Sequence, residues 1–409
     1  KVHNVKDIIH IIFNIHTIRP EVAALLGFAL ALYGFALYQR RPFRASLVLG
    51  FGISIIFLSN GILSLLSIFL TALLLLAFKQ WRNKRYYLFC LISTIVALSI
   101  ISPWVYLLYH SNPDIFFSWV SKVNSPNSAE FYFYIKNILW FTWPSLPLFI
   151  FVLVKNFNSI TKLKKIHLPL IFSISILITL SISGNEDQIK LMPLLLPFSV
   201  AAAGGIDLLR RGSASALNWF GILIFGFFGF IIWFFWLAVM VGFPEIISNR
   251  IYFLSGNYEV KFQFLSFIFA LLITGFWLYI IFKIKISNRS AISNWAIGIT
   301  MVWVAFIMLV SPLIENRKSY AAVFQDVKQH LSQSSSCLYT YNFSPNEINL
   351  LHYYSGIRGI DSNKAVQCRM VLLSLNQDSK MPSEYESWSQ IWSGKRIERD
   401  KTYYILLTK

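Results

Sequence analysis

Long apolar runs separated by short polar loops dominate the first three quarters of the chain. A helix needs about 20 apolar residues to cross the hydrocarbon core of a bilayer. Runs close to that length occur at residues 22–38, 45–59, 62–78, 86–109, 135–154, 168–183, 191–206, 218–243, 262–282 and 291–313. The pattern predicts an α-class fold, a polytopic bundle of about nine to ten transmembrane helices over residues 22–314.

Two places in this pattern are irregular. Only Asn60-Gly61 separates the second run from the third, which is compatible with a tight hairpin or with a broken, re-entrant segment. The run 191–206 contains Pro193 and Pro197, which predict a kink in that helix.

Lysine and arginine are concentrated in alternate loops. The basic loops are 39–44, 79–85, 155–167, 207–217 and 283–289, whereas 110–131, 184–190 and 244–261 are mixed or acidic. Short cytoplasmic loops carry an excess of Lys and Arg. If all the runs cross, every basic loop lies in the cytoplasm, and residues 1–21 and 315–409 lie outside it.

Composition agrees with a membrane protein. Apolar residues make up 56% of the chain and charged residues 13%, too few charges to cover a soluble core of this size. The net charge of +18 is held in the short loops, so it indicates membrane orientation and gives no reason to expect a nucleic-acid partner.

Residues 315–409 follow a different pattern and predict a small α/β domain outside the cytoplasm. Apolar residues at helical spacing predict an amphipathic helix over 319–334, and Ser344 to Glu347 form a capping box that opens a helix over 345–354, with Gly356 as its stop. Segments 337–341, 369–375 and 402–408 predict strands. Cys337 and Cys368 each begin such a strand, and an oxidising compartment would allow them to pair as a disulfide.

Polar residues gather at the predicted outer surface of the membrane. They include His16 and Glu21 before the first span and Lys190 before the seventh. A solvated interfacial charge accounts for each one alone, but together they favour a site for an anionic lipid head group. The long loop 111–128 also carries an apolar edge, Phe116, Phe117 and Trp119, that is suited to the bilayer surface. The chain has no P-loop, no His-Glu-x-x-His and no Cys-x-x-Cys motif.

Five segments resemble the bacterial aminoarabinose-transferase-like glycosyltransferases, relatives of the dolichyl-phosphate-mannose protein mannosyltransferases. The segments are IRPEVAALLGFALALYGFALYQRRPFR, LSNGILSLLSIFL, FTWPSLPL, LMPLLLPFSVAAAGGIDLLRRG and ENRKSYAAVFQDV. The resemblance implies the glycosyltransferase C-type fold in a bacterial inner membrane. It also implies transfer of a sugar from a polyprenyl-phosphate donor to an envelope acceptor (lipid A, glycan or protein) at the outer face, without a nucleotide.

The resemblance also implies site residues. The family's catalytic acids lie in a first outer loop, which we expect upstream of Lys1, so we expect this chain to be N-terminally truncated. His16 and Glu21 match a juxtamembrane histidine and acid, although the acid in the family is typically Asp. Asn60 stands where the family usually has Lys before Gly. With Lys190, these residues form the expected pocket for lipid phosphate and sugar. No metal ligand is assigned, and a divalent ion is left open as a cofactor.

Two other functions are compatible with the same sequence. A transporter or flippase of lipid-linked sugars often shows inverted repeats with broken helices, and we find no such repeat. A non-catalytic accessory protein with an outer domain is the third interpretation. An acidic pair just after a preceding transmembrane span would favour the enzyme.

Overall fold

The computed structural model of the protein describes residues 20–124, 131–157, 164–183, 188–256, 260–283, 287–331, 337–357, 359–360, 368–377, 379, 381–396 and 400–409. The chain divides into two compact units, Lys1–Leu209 and Arg210–Lys409. Each unit has its own buried apolar clusters.

The described part of the first unit is helical. Its α-helices are α1 Pro20–Leu37, α2 Pro42–Asn60, α3 Ile62–Leu75, α4 Lys84–Ser111, α5 Pro113–Asn124, α6 Phe131–Phe141, α7 Ser145–Lys155, α8 Lys164–Ser183 and α9 Met192–Gly204. Short 3-10 turns at Gln188–Leu191 and Ile206–Leu208 flank α9. Pro193 lies in the first turn of α9, where its missing N–H costs no hydrogen bond.

Glycines allow α1 and α2 to approach closely. A Cβ on Gly27 would lie 2.8 Å from Cγ1 of Ile56 and 2.9 Å from the carbonyl oxygen of Gly52. A Cβ on Gly34 would lie 3.0 Å from Cβ of Leu49. Residue numbers fall along α2 as they rise along α1, so the two helices are antiparallel, and Glu21 near the start of α1 is level with the end of α2.

The junction between α2 and α3 is a tight hairpin turn. Gly61 alone joins the two helices, with a φ of 74° that favours glycine, and its N–H donates to the carbonyl of Phe57. Tyr38, just before α2, donates its hydroxyl to Oδ1 of Asn83, just before α4, 2.7 Å away, so α2 and α4 begin at the same end. Helix α3 returns to that end, because Tyr86 near the start of α4 donates its hydroxyl to the carbonyl of Ala72, 3.0 Å away.

The predicted span 135–154 is two helices and not one. Helix α6 ends at Phe141 and α7 begins at Ser145, with a turn between them. Pro144 forms the N-cap of α7 and has no N–H to continue the ladder of α6. The apolar pattern continues through the turn, so hydropathy alone does not reveal the break.

The second unit begins with membrane-type helices. These are α10 Arg211–Val241, α11 Glu245–Leu254, α12 Phe264–Lys283, α13 Asn288–Leu309 and α14 Ser311–Lys318. Buried side chains such as Trp236 and Phe225 on α10 pack among residues of α12 and α13. Helix α11 has no buried residue, and Ile246 in its first turn is 85% exposed.

Seven helices in the described part of the chain are long and apolar enough to cross a membrane. Each coincides with one of the predicted runs. The remaining three runs overlap shorter apolar helices, Ile62–Leu75, Ser145–Lys155 and Gln188–Gly204, the second of which accounts for only the later part of the run 135–154. The protein is a multi-pass membrane protein.

The tail forms a helix-and-sheet structure. It contains α15 Ala321–His330, β1 Leu338–Tyr341, α16 Pro345–Ser355, β2 Gly359–Ile360, β3 Met370–Asn376, β4 Ser389–Lys395 and β5 Thr402–Thr408. The strand order is β2-β1-β3-β5-β4, with β1 parallel to β2 and β3, and β5 antiparallel to β3 and β4. Val323, Phe324 and Val327 of α15 are buried in the core, as the helical spacing predicted.

The predicted elements of the tail are largely confirmed. Ser344 and Glu347 form the reciprocal capping box, and Gly356 closes α16 in the left-handed conformation with a φ of 79°. The first helix is shorter than the predicted 319–334, and strands β2 and β4 were not predicted. Cys337 and Cys368 are joined by a disulfide, with Cα atoms 5.2 Å apart, beside the parallel pair β1 and β3.

Candidate functional site

Glu21 lies in the first turn of α1, where a carboxylate is favoured by the positive end of the helix dipole. The side chain is half-buried, and its Oε2 atom is buried without a hydrogen-bond donor among the described residues. A buried carboxylate oxygen is costly to leave unpaired. This atom is therefore suited to accept a hydrogen bond from a ligand.

Asn60 is the last residue of α2 and is half-buried. The close approach of α1 and α2 through Gly27 fixes its level relative to Glu21. Gly27 faces the segment from Gly52 to Ile56. From these contacts, Glu21 lies one to two turns toward the start of α1, and Asn60 lies one to two turns toward the end of α2. Both residues therefore lie at one end of this helix pair.

Lys190 lies in the 3-10 turn that precedes α9. Its neighbours Ile189 and Leu191 are buried, whereas Lys190 is half-buried. Gln188 ties the turn to α6 by donating from Nε2 to Oδ1 of Asn137, 3.2 Å away. The lysine is thus carried by an anchored turn and not by an unsupported loop.

Helix directions bring Glu21, Asn60 and Lys190 to the same end of the first unit. Helix α3 leaves that end at Gly61, and just beyond its far end the ring of Phe78 stacks on His167, with centroids 4.0 Å apart. His167 is in the first turns of α8, so α8 begins at the far end and finishes where α1 begins. The turn with Lys190 follows α8 at that end.

An aromatic cluster covers the same end beside Asn60. The ring of Trp119 on α5 lies 5.6 Å from that of Phe57 in the last turns of α2 and 5.3 Å from that of Trp104 on α4. Phe116 belongs to the same cluster, 6.3 Å from Trp119. Helix α5 therefore folds back onto the bundle through its apolar edge.

The sequence indicated only part of this arrangement. It identified Trp119 and Phe116 as an apolar edge. It did not identify Phe57 and Trp104 as their partners, because the spans that contain them hold other aromatic residues as well. The Asn137–Gln188 bond was also missed, because its partners are 51 residues apart and neither belongs to a motif.

The sequence also assigned His16 to the pocket and left a divalent ion open as a cofactor. His16 lies outside the described residues. Among the residues that the structure describes, no group of three or more His, Cys, Asp or Glu side chains is placed to hold a metal ion. The described residues thus do not supply a set of metal ligands, and we assign no step of a reaction to a metal.

Two solved structures share the architecture of the chain. The crystal structure of ArnT, an aminoarabinose transferase, from Cupriavidus metallidurans bound to undecaprenyl phosphate matches with a TM-score of 0.58 at 16% sequence identity, covering 95% of this chain and 74% of that chain. The apo structure of the same protein matches with a TM-score of 0.54 at 15% identity, with the same coverage.

These matches identify the fold. The chain has the ArnT-like, glycosyltransferase C-type fold, so the fold class expected from the sequence is confirmed. No protein-family model matches the sequence, and no curated protein matches it. At 15–16% identity the likeness establishes architecture, and activity requires a separate argument.

Proposed function

We propose that the protein is an integral membrane glycosyltransferase that takes a sugar from a polyprenyl-phosphate donor and transfers it to an envelope acceptor. The observation that carries this proposal is the position of Glu21, Asn60 and Lys190 at one end of the first unit, in a fold shared with ArnT. One of the ArnT structures holds undecaprenyl phosphate, and we extend that carrier chemistry to this chain.

In the proposed reaction, an acceptor hydroxyl or amine attacks the anomeric carbon of the sugar and gives up its proton to a carboxylate general base. The bond between that carbon and the phosphate oxygen breaks, and the lipid phosphate leaves as an anion. A fixed cation that faces the leaving phosphate stabilises its developing charge. We assign this role to Lys190, because its turn is anchored to α6 and its ammonium is a compact charge suited to phosphate.

Glu21 and Asn60 are assigned to the sugar. The buried Oε2 of Glu21 is suited to accept a hydrogen bond from a sugar hydroxyl or ammonium group. Asn60 has an amide that both donates and accepts, which suits it to orient a polar ring. His16 is proposed as a further contact of this pocket, and no general base is assigned among these four residues.

We place the protein in a bacterial inner membrane with the tail 315–409 outside the cytoplasm. The alternation of basic and mixed loops supports this orientation. The Cys337–Cys368 disulfide agrees with this orientation, because structural disulfides persist in oxidising compartments.

Binding to purified full-length protein tests the proposed site. Native mass spectrometry with undecaprenyl phosphate should show one bound carrier, and Lys190→Ala should weaken binding roughly tenfold to a hundredfold, as expected for a lost contact to a charged group. Lys261→Ala is the matched control, since Lys261 is an exposed lysine of another loop. Glu21→Gln should bind the bare carrier normally but bind the sugar-loaded carrier more weakly.

Other outcomes would replace the proposal. Equal binding by Lys190→Ala and the control would remove Lys190 from the site. If the protein moved lipid-linked sugars across vesicle membranes and never transferred them to an acceptor, it would be a transporter.

A further inference from the structure

A cavity of about 450 Å³ lies among helices α10, α12 and α13, entirely within the second unit. Most of its walls are apolar, including Ile222, Ile281 and Gly226. Trp219 and Phe282 also line it, and they are 56% and 81% exposed. In a helix bundle that spans a bilayer, such exposed aromatics face lipid, so the cavity is reached from the hydrocarbon region.

One wall of this cavity is polar and is held by a chain of hydrogen bonds. Trp277 donates its indole N–H to Oδ1 of Asn294, 3.1 Å away. Asn294 in turn donates from Nδ2 to Oδ1 of Asn218, 3.0 Å away. The two asparagines are 3% and 7% exposed, and both line the cavity.

The direction of this chain is fixed by chemistry. An indole N–H can only donate, so Asn294 must present its oxygen to Trp277 and its NH₂ group to Asn218. Asn218 must then accept through its oxygen, which leaves its own NH₂ group as the end of the chain. Among the residues that the structure describes, no acceptor is bonded to this group, which keeps some accessible surface.

A donor without an acceptor is costly in a medium that contains no water. The occupant of the cavity should therefore combine an apolar chain with a hydrogen-bond acceptor. Asn218 lies seven residues after Arg211 at the start of α10, about 10 Å along the helix at a rise of about 1.5 Å per residue. The acceptor therefore belongs just inside the edge of the hydrocarbon core, below the charged head groups.

The nearest helix ends carry positive charge. Helix α10 begins with the exposed Arg211, and α12 ends with the exposed Lys283, six residues after Trp277. Trp277 and Asn218 belong to one hydrogen-bond chain, and each lies six or seven residues from the charged end of its own helix. Arg211 and Lys283 therefore lie on the same side of this chain, where a head group would lie. Basic pockets between membrane helices bind anionic lipid head groups.

We propose that this cavity binds a glycerophospholipid with an anionic head group, whose acyl chain fills the apolar part and whose ester carbonyl accepts a hydrogen bond from Nδ2 of Asn218. Arg211 and Lys283 hold the head group. The site is separate from the proposed donor site, because it uses residues of the second unit only.

Titration of the delipidated full chain with palmitoyl-oleoyl phosphatidylglycerol, followed by native mass spectrometry, tests the site. The wild type should bind one lipid above the non-specific background. Asn218→Leu keeps the side-chain size and removes the donor, so affinity should fall about tenfold. Asn249→Leu makes the same change at an exposed position of α11 and should bind like the wild type.

A second pair of variants tests the cavity without removing a hydrogen-bonding group. A Cβ at Gly226 would meet only the Trp277 ring, at 3.7 Å, an ordinary van der Waals contact, and the rest of a Leu side chain at this lining position should extend into the cavity. Gly226→Leu should abolish specific binding. Gly275→Leu is the control, because a Cβ there meets no atom within 4 Å and Gly275 does not line the cavity. This pair is decisive if Asn218→Leu fails to fold after Asn294 loses its acceptor.

Three results would overturn the proposal. Wild-type binding no stronger than that of Gly226→Leu would mean that water and not lipid satisfies Asn218. Equal binding of phosphatidylcholine with the same chains would remove the anionic head group from the proposal. Displacement of the phospholipid by stoichiometric undecaprenyl phosphate would assign the cavity to the carrier.

Discussion

Tyr404 donates its hydroxyl to Oε1 of Glu347, 3.0 Å away, and so joins the last strand of the tail to the first turn of α16. The other carboxylate oxygen, Oε2, accepts from the backbone N–H and the hydroxyl of Ser344. Glu347 is therefore both a helix cap and a link between helix and sheet.

We expect Tyr404→Phe to destabilise the tail by about 1–2 kcal/mol, since it removes a hydrogen bond to a charged group at a buried position. Thermal unfolding of the full chain in detergent measures this change in stability. The unfolding transition of the tail is the one that shifts when the disulfide is reduced. Tyr353→Phe is the control, because Tyr353 is 79% exposed. Equal transition temperatures for the two variants would contradict the prediction.

The stability of the tail should fall at alkaline pH. Burial raises the pKa of Tyr404 well above its ordinary value of about 10, and the negative charge of Glu347 adds to the rise. Burial followed by the Glu347 charge also raises the pKa of Tyr320. Above pH of about 10 the unfolded chain releases these protons while the folded tail keeps them, so the unfolded state gains stability.

The tail transition should therefore move to lower temperature between pH 9 and about 11. Tyr404→Phe should reduce the slope by roughly one proton, because one of the tail tyrosines with a raised pKa no longer titrates. A slope that is the same in the variant and the wild type would show that other groups control the alkaline transition.

Gly27→Ala should destabilise the first unit by about 1–3 kcal/mol, because the added methyl group would overlap Ile56 and the backbone oxygen of Gly52. Gly275→Ala is the matched control in another membrane helix, where the methyl group meets no atom within 4 Å. Thermal unfolding in detergent compares the two variants. If Gly27→Ala were as stable as the control, α1 and α2 would not pack as closely as described.

The Cys337–Cys368 pair should be oxidised in protein isolated from the envelope. Non-reducing peptide mass spectrometry should find the two cysteines linked, and Cys90→Ser should leave that linked peptide unchanged. Because the bridge spans 31 residues, Cys337→Ser should cost about 2–4 kcal/mol of tail stability. Two unlinked thiols in native protein would refute the prediction.

A fusion at Lys409 tests the orientation of the tail. Alkaline phosphatase should be active there, because it folds only where its disulfides form, and a fluorescent protein exported through the general secretory route should remain dark. Fusions after Arg85, in a basic loop, should give the opposite result. An inactive phosphatase at Lys409 would reverse the proposed topology.

Local pattern determined most of the helices and part of the tail. Apolar runs are sufficient to predict membrane helices because every backbone polar group in a bilayer must be paired within its own segment. The Ser344–Glu347 capping box and Gly356 predicted the bounds of α16, because both ends of that helix are set by residues close in sequence. The five family-like segments led to the fold that the ArnT structures share.

Tertiary structure decided what depends on distant partners. Strand β4 is mostly exposed and poor in apolar residues, so only its pairing with β5 identifies it. The proposed site residues Glu21, Asn60 and Lys190 share one end of the first unit because of helix directions, which no local pattern specifies. Asn218 and Asn294 are single amides in apolar runs, 76 residues apart. Their chain of hydrogen bonds, which ends at a residue that lines the cavity, exists only because packing brings three helices together.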